Sequence, residues 1–178
     1  MNMKPHLQAA ALIFLLLMTP QVMAFTKELT AGELQTQLAG QFPRQEQTPF
    51  MTVTLSDPRI ILKDKSDRIG MELTVSTTSL GNISGKARGL MDGKLHYVPK
   101  TGEFFLLDPE MQRLHVAGVP EQYQSDIRIL VEGIAKETLS QIPIYTLKAD
   151  DPNQSLAKSF LKSVTVRNGR LVLEVGLF

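Results

Sequence analysis

The stretch Pro120–Pro143, PEQYQSDIRILVEGIAKETLSQIP, sets the terms on which this chain can fold. Proline suits a first helical position, and Glu121 puts acidic charge in the first turn, where it meets the positive end of the helix dipole. Ile127, Leu130, Val131, Ile134, Ala135, Leu139 and Ile142 recur at steps of three and four residues and form one wide apolar stripe. Arg128, Glu132, Lys136, Glu137 and Gln141 lie off it. Pro143 ends the helix, because it lacks an N–H and disfavours helical geometry at Ile142. About 22 residues at ~1.5 Å each give a rod of roughly 33 Å. An apolar stripe of that length needs a cover, and the rest of the sequence offers mainly β-strands.

Residues 1–24 read as a cleaved secretory signal peptide. Lys4 supplies a short positive region, Ala9–Met18 is an unbroken apolar run, and Val22-Met23-Ala24 is a small-x-small site, so cleavage is expected after Ala24. The apolar run is short for a membrane span. No cysteine follows the site to carry a lipid, so no stable membrane anchor is expected after cleavage. Residues 25–178 have the length of a single domain. The chain has 19 Lys+Arg and 18 Asp+Glu, and loss of Lys4 evens the two. That balance argues against nucleic acid and gives no reason to expect an acidic membrane surface as the main partner. Without cysteine there is no disulfide, and stability rests on core burial, which a chain of this length supplies.

Thr30-Ala-Gly-Glu33 has capping-box spacing ahead of a short helix that turns Leu29, Leu34 and Leu38 inward and ends at Gly40 and Pro43. From Phe50 the period changes to two. Met51, Val53 and Leu55 alternate with Thr52, Thr54 and Ser56, and Asp57-Pro58 predicts a break or bulge before Ile60-Ile61-Leu62. A charged turn at Lys63–Asp67 leads to the alternation Ile69, Met71, Leu73, Val75, and Gly81-Asn82 is a turn signal. Gly85, Gly89 and Gly93 predict bends in a strongly curved sheet. Pro99–Gly102 predicts a hairpin turn, followed by a strand over 103–119 interrupted at Asp108-Pro109, which suits an edge or a bulge. After the long helix come a short extended piece at Ile144–Leu147 and a helix start at Asp150–Asn153. Next is a short helix with Leu156, Phe160 and Leu161 inward, and last a hairpin about Asn168-Gly169. The fold class is α+β: a long amphipathic helix wrapped by a highly curved antiparallel sheet, with short N-terminal and C-terminal helices. Met51, Met71, Met91 and Met111 are spaced by twenty, but their neighbours do not repeat, and the spacing reads as coincidence.

The sequence holds no signature of catalysis. After residue 24 its histidines are His96 and His115, without ligand spacing and without cysteine, so no metal is expected. Ser84 in Gly81-Asn-Ile-Ser84-Gly85 sits one place late for a nucleophile elbow. A Ser-His-Asp set would have to assemble in space. Asp150-Asp151 lacks the ligand alternation of a calcium loop and is better explained by helix capping. No phosphate loop appears, and Lys63, Lys65 and Arg68 are balanced by Asp64 and Asp67. No cofactor is expected.

In order of elements, the chain resembles the YceB-like family of bacterial envelope proteins, a domain of unknown function. The resemblance runs through Leu29-Thr30-Ala-Gly-Glu33-Leu34, Val53–Leu62, Gly102-Glu-Phe-Phe-Leu106, the long helix into Ile142–Leu147, Leu156-Ala-Lys158, Val164-Thr-Val166 and Gly169–Val172. These are patterns of apolar spacing. The family is similar to the tubular lipid-binding (TULIP) superfamily, whose fold wraps a long helix in a curved antiparallel sheet. The resemblance implies binding of a lipid or other hydrophobic molecule in the envelope, and it supplies no catalytic residues. Many YceB-like members carry a lipoprotein cysteine that this chain lacks, so a soluble periplasmic protein is expected. Its ligand would lie between helix and sheet, lined by Ile127, Leu130, Val131 and Ile134 from the helix and by Phe104 and Leu106 from the sheet. The rival expectation is a filled-core envelope protein that acts through protein–protein contacts and is likewise not an enzyme.

Overall fold

A computed structural model describes residues 23–79, 84–117 and 121–177. The elements in order are β1 (Met23–Thr30), α1 (Ala31–Ala39), β2 (Arg44–Gln47), β3 (Met51–Leu62), β4 (Arg68–Ser79), β5 (Ser84–Val98), β6 (Glu103–Ala117), α2 (Glu121–Gln141), β7 (Tyr145–Thr146), α3 (Pro152–Phe160), β8 (Leu161–Arg167) and β9 (Arg170–Leu177). Strands β2-β3-β4-β5-β6-β7 form one open sheet and β1-β9-β8 a second, with antiparallel neighbours throughout. This is the α+β class read from the sequence. The Gly81-Asn82 turn, Pro120 and most of the signal-peptide segment lie outside the described residues.

Strand β1 and the short β2 were not expected. β1 runs from Met23↔Leu177 to Thr30↔Arg170 along β9, and cleavage after Ala24 would leave the pairing from Phe25↔Val175 onward. β1 passes directly into α1 through the expected capping box. Thr30 Oγ1 accepts from Glu33 N at 3.2 Å, and Glu33 Oε2 accepts from Thr30 N at 2.7 Å. Leu29, Leu34 and Leu38 are fully buried, and α1 packs on β3.

The two Asp-Pro steps are bulges. At Asp57 the backbone turns left-handed (φ 50°), and the β3–β4 register shifts between Ser56 and Arg59. Aspartate tolerates that conformation better than most residues. The extra residues change the phase of the strand, so the inward set passes from Val53 and Leu55 to Ile60 and Leu62. Gln35 of α1 caps the irregularity: its Nε2 donates to the Pro58 carbonyl and its Oε1 accepts from Ile60 N at 3.0 Å. Asp108 repeats the device in β6 (φ 46°), where the β5 register shifts between Asp92 and Lys94. On the edge away from β5, β6 has no strand partner beyond Phe104 among the described residues, which makes Pro109 harmless to the sheet.

Three of the four evenly spaced methionines meet on the sheet, Met71 pairing with Met91 and Met91 with Met111 across β4, β5 and β6, while Met51 lies opposite Ser79. One expectation is corrected. In α3, Leu156 is exposed while Gln154 and Ala157 are buried. The Asp151 carboxylate caps this helix by accepting from Asn153 N and Gln154 N, and it also accepts from Gln154 Nε2 at 2.9 Å. Gln154 Oε1 accepts from Tyr145 Oη at 3.1 Å and Lys148 N at 2.8 Å. A glutamine with its polar atoms thus engaged can be buried without penalty, and it turns the helix face accordingly.

The sheets are tied at one end by Lys65 N donating to the Val166 carbonyl (3.0 Å) and Asn168 N donating to Asp64 Oδ1 (2.7 Å). Asn168 and Gly169, both left-handed, make the tight β8–β9 turn that the sequence predicts.

Candidate functional site

The long helix α2 lies against β6. Arg128 Nη2 reaches the Leu114 carbonyl at 3.4 Å, while Ser140 borders the same shallow hollow as Leu107 and Asp108. Helix and strand therefore run antiparallel. The last turns of α2 lie over the start of β6, and its first turns lie near the end of that strand.

Burial along the helix is uneven. Val131, Ala135, Thr138 and Leu139 are buried, and Ile142 just past the helix is buried too. Ile127, Leu130 and Ile134 are half-buried, with Ile127 and Ile134 packed on the edge of the core, and Ile129 is 71% exposed. The stripe read from the sequence is thus fully covered at its C-terminal end and partly covered at its N-terminal end. Among the strands facing the open end, Met51, Met111 and Val116 are also only partly buried.

Of the six residues expected to line a ligand, Phe104 and Leu106 lie at the closed end. Phe104 is 0% exposed, and its ring centroid is 4.8 Å from Tyr97 and 6.5 Å from Tyr145. Burial pushes both tyrosine hydroxyls up in pKa. For Tyr145 the negative charge of Glu33 adds to the effect and the hydrogen bond with Gln154 opposes it. Tyr97 Oη donates to the Lys158 carbonyl at 2.8 Å, fixing α3 against the β5–β6 hairpin. The six are therefore not gathered at one place: Phe104 packs in an aromatic group tied to α3, Leu106 borders the hollow that Ser140 of α2 also borders, and Ile127, Leu130, Val131 and Ile134 lie on the apolar stripe of α2. Along that helix Val131 is buried, and Ile127 and Leu130 lie toward the open end.

His96, Asp108 and Ser140 border one shallow hollow, but among the described residues no hydrogen bond joins them. Ser140 Oγ instead donates to the Lys136 carbonyl at 2.7 Å, as serines inside helices do. His115 lies opposite Arg88 on the neighbouring strand. Among the described residues no three His, Cys, Asp or Glu side chains converge for a metal ion, and no helix is long and apolar enough to cross a membrane.

One feature of the surface was missed in the sequence. Lys86, Arg88, Arg113 and His115 border a furrow of about 360 Å³ on the face of the sheet opposite its buried row. Their spacing along the chain hides the cluster, which exists only once Arg88 pairs with His115 and Leu90 with Arg113.

No curated protein matches the chain. A family model described as a protein of unknown function, DUF1439, matches residues 29–170, from the end of β1 to the start of β9. With most of its length covered in this way, the chain belongs to the DUF1439 family.

Proposed function

We propose that this chain is a non-enzymatic protein of the bacterial envelope, exported to the periplasm, that holds a lipid or other hydrophobic molecule along the seam between α2 and the sheet. The observation that carries this is the half-covered stripe. Ile127, Leu130 and Ile134 continue the buried row of Val131, Ala135 and Leu139 without being buried themselves. Removing apolar surface from water is worth about 25 cal/mol per Å², so an acyl chain laid against these side chains would be held by desolvation alone. The ligand would enter at the N-terminal end of α2, with its polar group left at the mouth. Phe104 and Leu106 would form the closed floor of the seam. The resemblance to YceB-like and TULIP proteins, with their helix wrapped by a curved sheet, supports the same function.

A second function is favoured by the packed aromatic group of half-buried Tyr97 with buried Phe104 and Tyr145. With the core filled at that end, the half-covered stripe would be a contact for another envelope protein.

The test is native mass spectrometry of the protein purified from its own periplasm, together with uptake of a fluorescent fatty acid by delipidated protein. Bound mass in the lipid range and saturable uptake are expected. Apoprotein alone with no uptake would overturn the lipid reading, and recovery of one stoichiometric partner by crosslinking would favour the second.

A further inference from the structure

Thr74 carries a hydroxyl that the fold nearly buries and does not use. Leu73 and Val75 turn into the core, so Thr74 stands on the other face of β4, where it is 7% exposed and borders the furrow of about 360 Å³. Among the described residues it forms no hydrogen bond, and its oxygen is not sealed in as Thr165 Oγ1 is. The hydroxyl is therefore open to the furrow, free both to donate and to accept. Buried polar groups are as a rule satisfied, and one left unpaired on the floor of a furrow points to a partner that enters it.

Around that floor stand unmatched cations. Thr74, Arg88 and His115 are cross-strand neighbours on β4, β5 and β6, and so are Glu72, Leu90 and Arg113, with Lys86 two residues before Arg88 on the same face. Strands ~4.8 Å apart and two-residue steps of ~6.8 Å put Arg88, Arg113 and His115 within roughly 9 Å of one another. Arg88 and Arg113 are diagonal neighbours of like charge, an unfavourable arrangement that a counter-anion relieves. Lys86, Arg88 and Arg113 are exposed, and among the described residues none forms an ion pair. The acid on the wall, Glu72, is engaged elsewhere, 3.7 Å from Arg59 Nη1.

The positive charge is local. Further along the same face Arg68 lies 2.7 Å from Asp92 Oδ1 and 3.5 Å from Glu110 Oε2, and Lys94 lies 3.9 Å from Asp67 Oδ2. Charges there are matched, whereas at the furrow they are not. A polyanion or an anionic bilayer is met by a broad basic band or a longer run of cations. Three cations and an imidazole about one concavity match a single small ligand, and a volume of about 360 Å³ falls in the range of small-molecule sites. A flat partner surface would also leave the Thr74 hydroxyl on the floor unreached. The donors come from three strands and so from several directions. That suits the three acceptor oxygens of a phosphate group better than the two coplanar oxygens of a carboxylate.

We infer that the furrow binds the phosphate group of a small soluble molecule, with Arg88 and Arg113 as paired forks, Lys86 and His115 at the sides, and the Thr74 hydroxyl beneath. Free phosphate and a small phosphate monoester share this chemistry. The inference stands apart from the apolar-ligand proposal, because the furrow lies on the face of the sheet away from the buried row.

The experiment is calorimetric titration of the full chain, signal segment removed, with inorganic phosphate, glycerol 3-phosphate and succinate in chloride buffer of fixed ionic strength. Saturable binding of at least one of the two phosphates is expected, with succinate weaker by about tenfold or more. Tighter binding of glycerol 3-phosphate assigns the furrow to a monoester, and tighter binding of inorganic phosphate to the free ion. Arg88→Gln/Arg113→Gln should weaken binding about tenfold or more. Thr74→Val keeps the shape and removes the hydroxyl, and should weaken it about threefold to tenfold. Lys148→Gln, remote from the furrow, should change nothing. Thermal unfolding of each variant separates lost binding from lost folding. No saturable binding of either phosphate, succinate bound as tightly as phosphate, or full affinity in the double variant would overturn the inference. So would binding to phosphatidylglycerol vesicles that glycerol 3-phosphate does not displace, which would assign the furrow to a membrane, or tighter binding of polyglutamate, which would assign it to an acidic protein. Fatty-acid uptake by the double variant should be unchanged, which keeps the two proposals separable.

Discussion

Gln37 stands in for a β-strand beside Thr146: its Oε1 accepts from Thr146 N at 2.8 Å and its Nε2 donates to the Thr146 carbonyl at 3.1 Å. The two-residue strand β7 has β6 on one side and needs a partner on the other, and a side-chain amide from α1 supplies both a donor and an acceptor. Gln41 reinforces the arrangement by donating to the Pro143 carbonyl at 2.6 Å. α1 thereby holds the segment that follows α2 and fixes the closed end of the seam.

Gln37→Ala should cost about 1–3 kcal/mol, because it leaves two half-buried backbone groups unpaired. Gln37→Glu should also destabilise, since a carboxylate cannot donate to the carbonyl. The surface amide of Gln45, 3.4 Å from Thr54 Oγ1, is a fair control, and its change to alanine should stay within about 0.5 kcal/mol. Denaturant midpoints measure all three.

Two glycines should respond in opposite directions. A Cβ on Gly133, in the exposed face of α2, meets nothing within 4 Å. Gly133→Ala should stabilise by about 0.5–1 kcal/mol through backbone entropy. Gly93 lies opposite the Asp108 bulge, where a Cβ would come 3.1 Å from the Leu107 carbonyl oxygen and 3.4 Å from Pro109 Cα. These are backbone atoms and cannot rotate aside, so Gly93→Ala should cost about 1–3 kcal/mol. Thermal unfolding of the pair should move to opposite sides of the parent protein.

Local signals carried the expectations that held. A capping box, an Asn-Gly turn, two Asp-Pro bulges and a proline stop each fix geometry within a few residues, so Thr30, Asp57, Asp108, Asn168 and Pro143 could be read singly. What was illegible depends on pairing partners far apart in the chain. β1 carries mixed residues and becomes a strand only against β9. The methionine row and the Lys86-Arg88-Arg113 cluster require the register of three strands. Gln154 displaces Leu156 from the interior because Tyr145 and Lys148 N reach its amide oxygen, a contact that helical periodicity cannot express. Apolar periodicity also gave the α2 stripe without revealing that its two ends differ in burial.

The acid limb of stability should depend on Glu33. Its backbone hydrogen bond with Thr30 holds the carboxyl below its ordinary value of 4.5, helped by the Thr30 hydroxyl and by Lys27 and Lys148. A depressed folded-state pKa gives stability that is fully present above the unfolded value and is lost as pH falls through the folded one. Asp151, lowered first by its hydrogen bond with Gln154, and Glu174, lowered first by Ser163, act in the same sense. Unfolding midpoints should therefore be level from neutral pH down to about 5 and decline below about 4.5. Glu33→Gln, which can retain the cap as a neutral group, should flatten part of that decline. A Glu33→Gln profile parallel to the parent's below pH 4.5 would remove Glu33 from the account.

The two ends of the seam should separate stability from binding. Phe104 is fully buried against Tyr97 and Tyr145, so Phe104→Ala should cost about 3–5 kcal/mol as its ring volume becomes a void. Leu130 is half-buried at the open end, and Leu130→Ser forfeits only part of a leucine's transfer free energy, about 1 kcal/mol. If an acyl chain covers Ile127 and Leu130, then Ile127→Ser/Leu130→Ser should retain a cooperative unfolding transition while fatty-acid affinity falls about tenfold or more, since the double change removes apolar contact that only the ligand completes. The Phe104 variant should behave the opposite way at a temperature where it remains folded, with stability lost and affinity nearly kept. Unchanged uptake by the Ile127/Leu130 variant would mean that the half-covered stripe does not hold the ligand, and the helix would then be an ordinary cover whose first turns simply outrun the sheet.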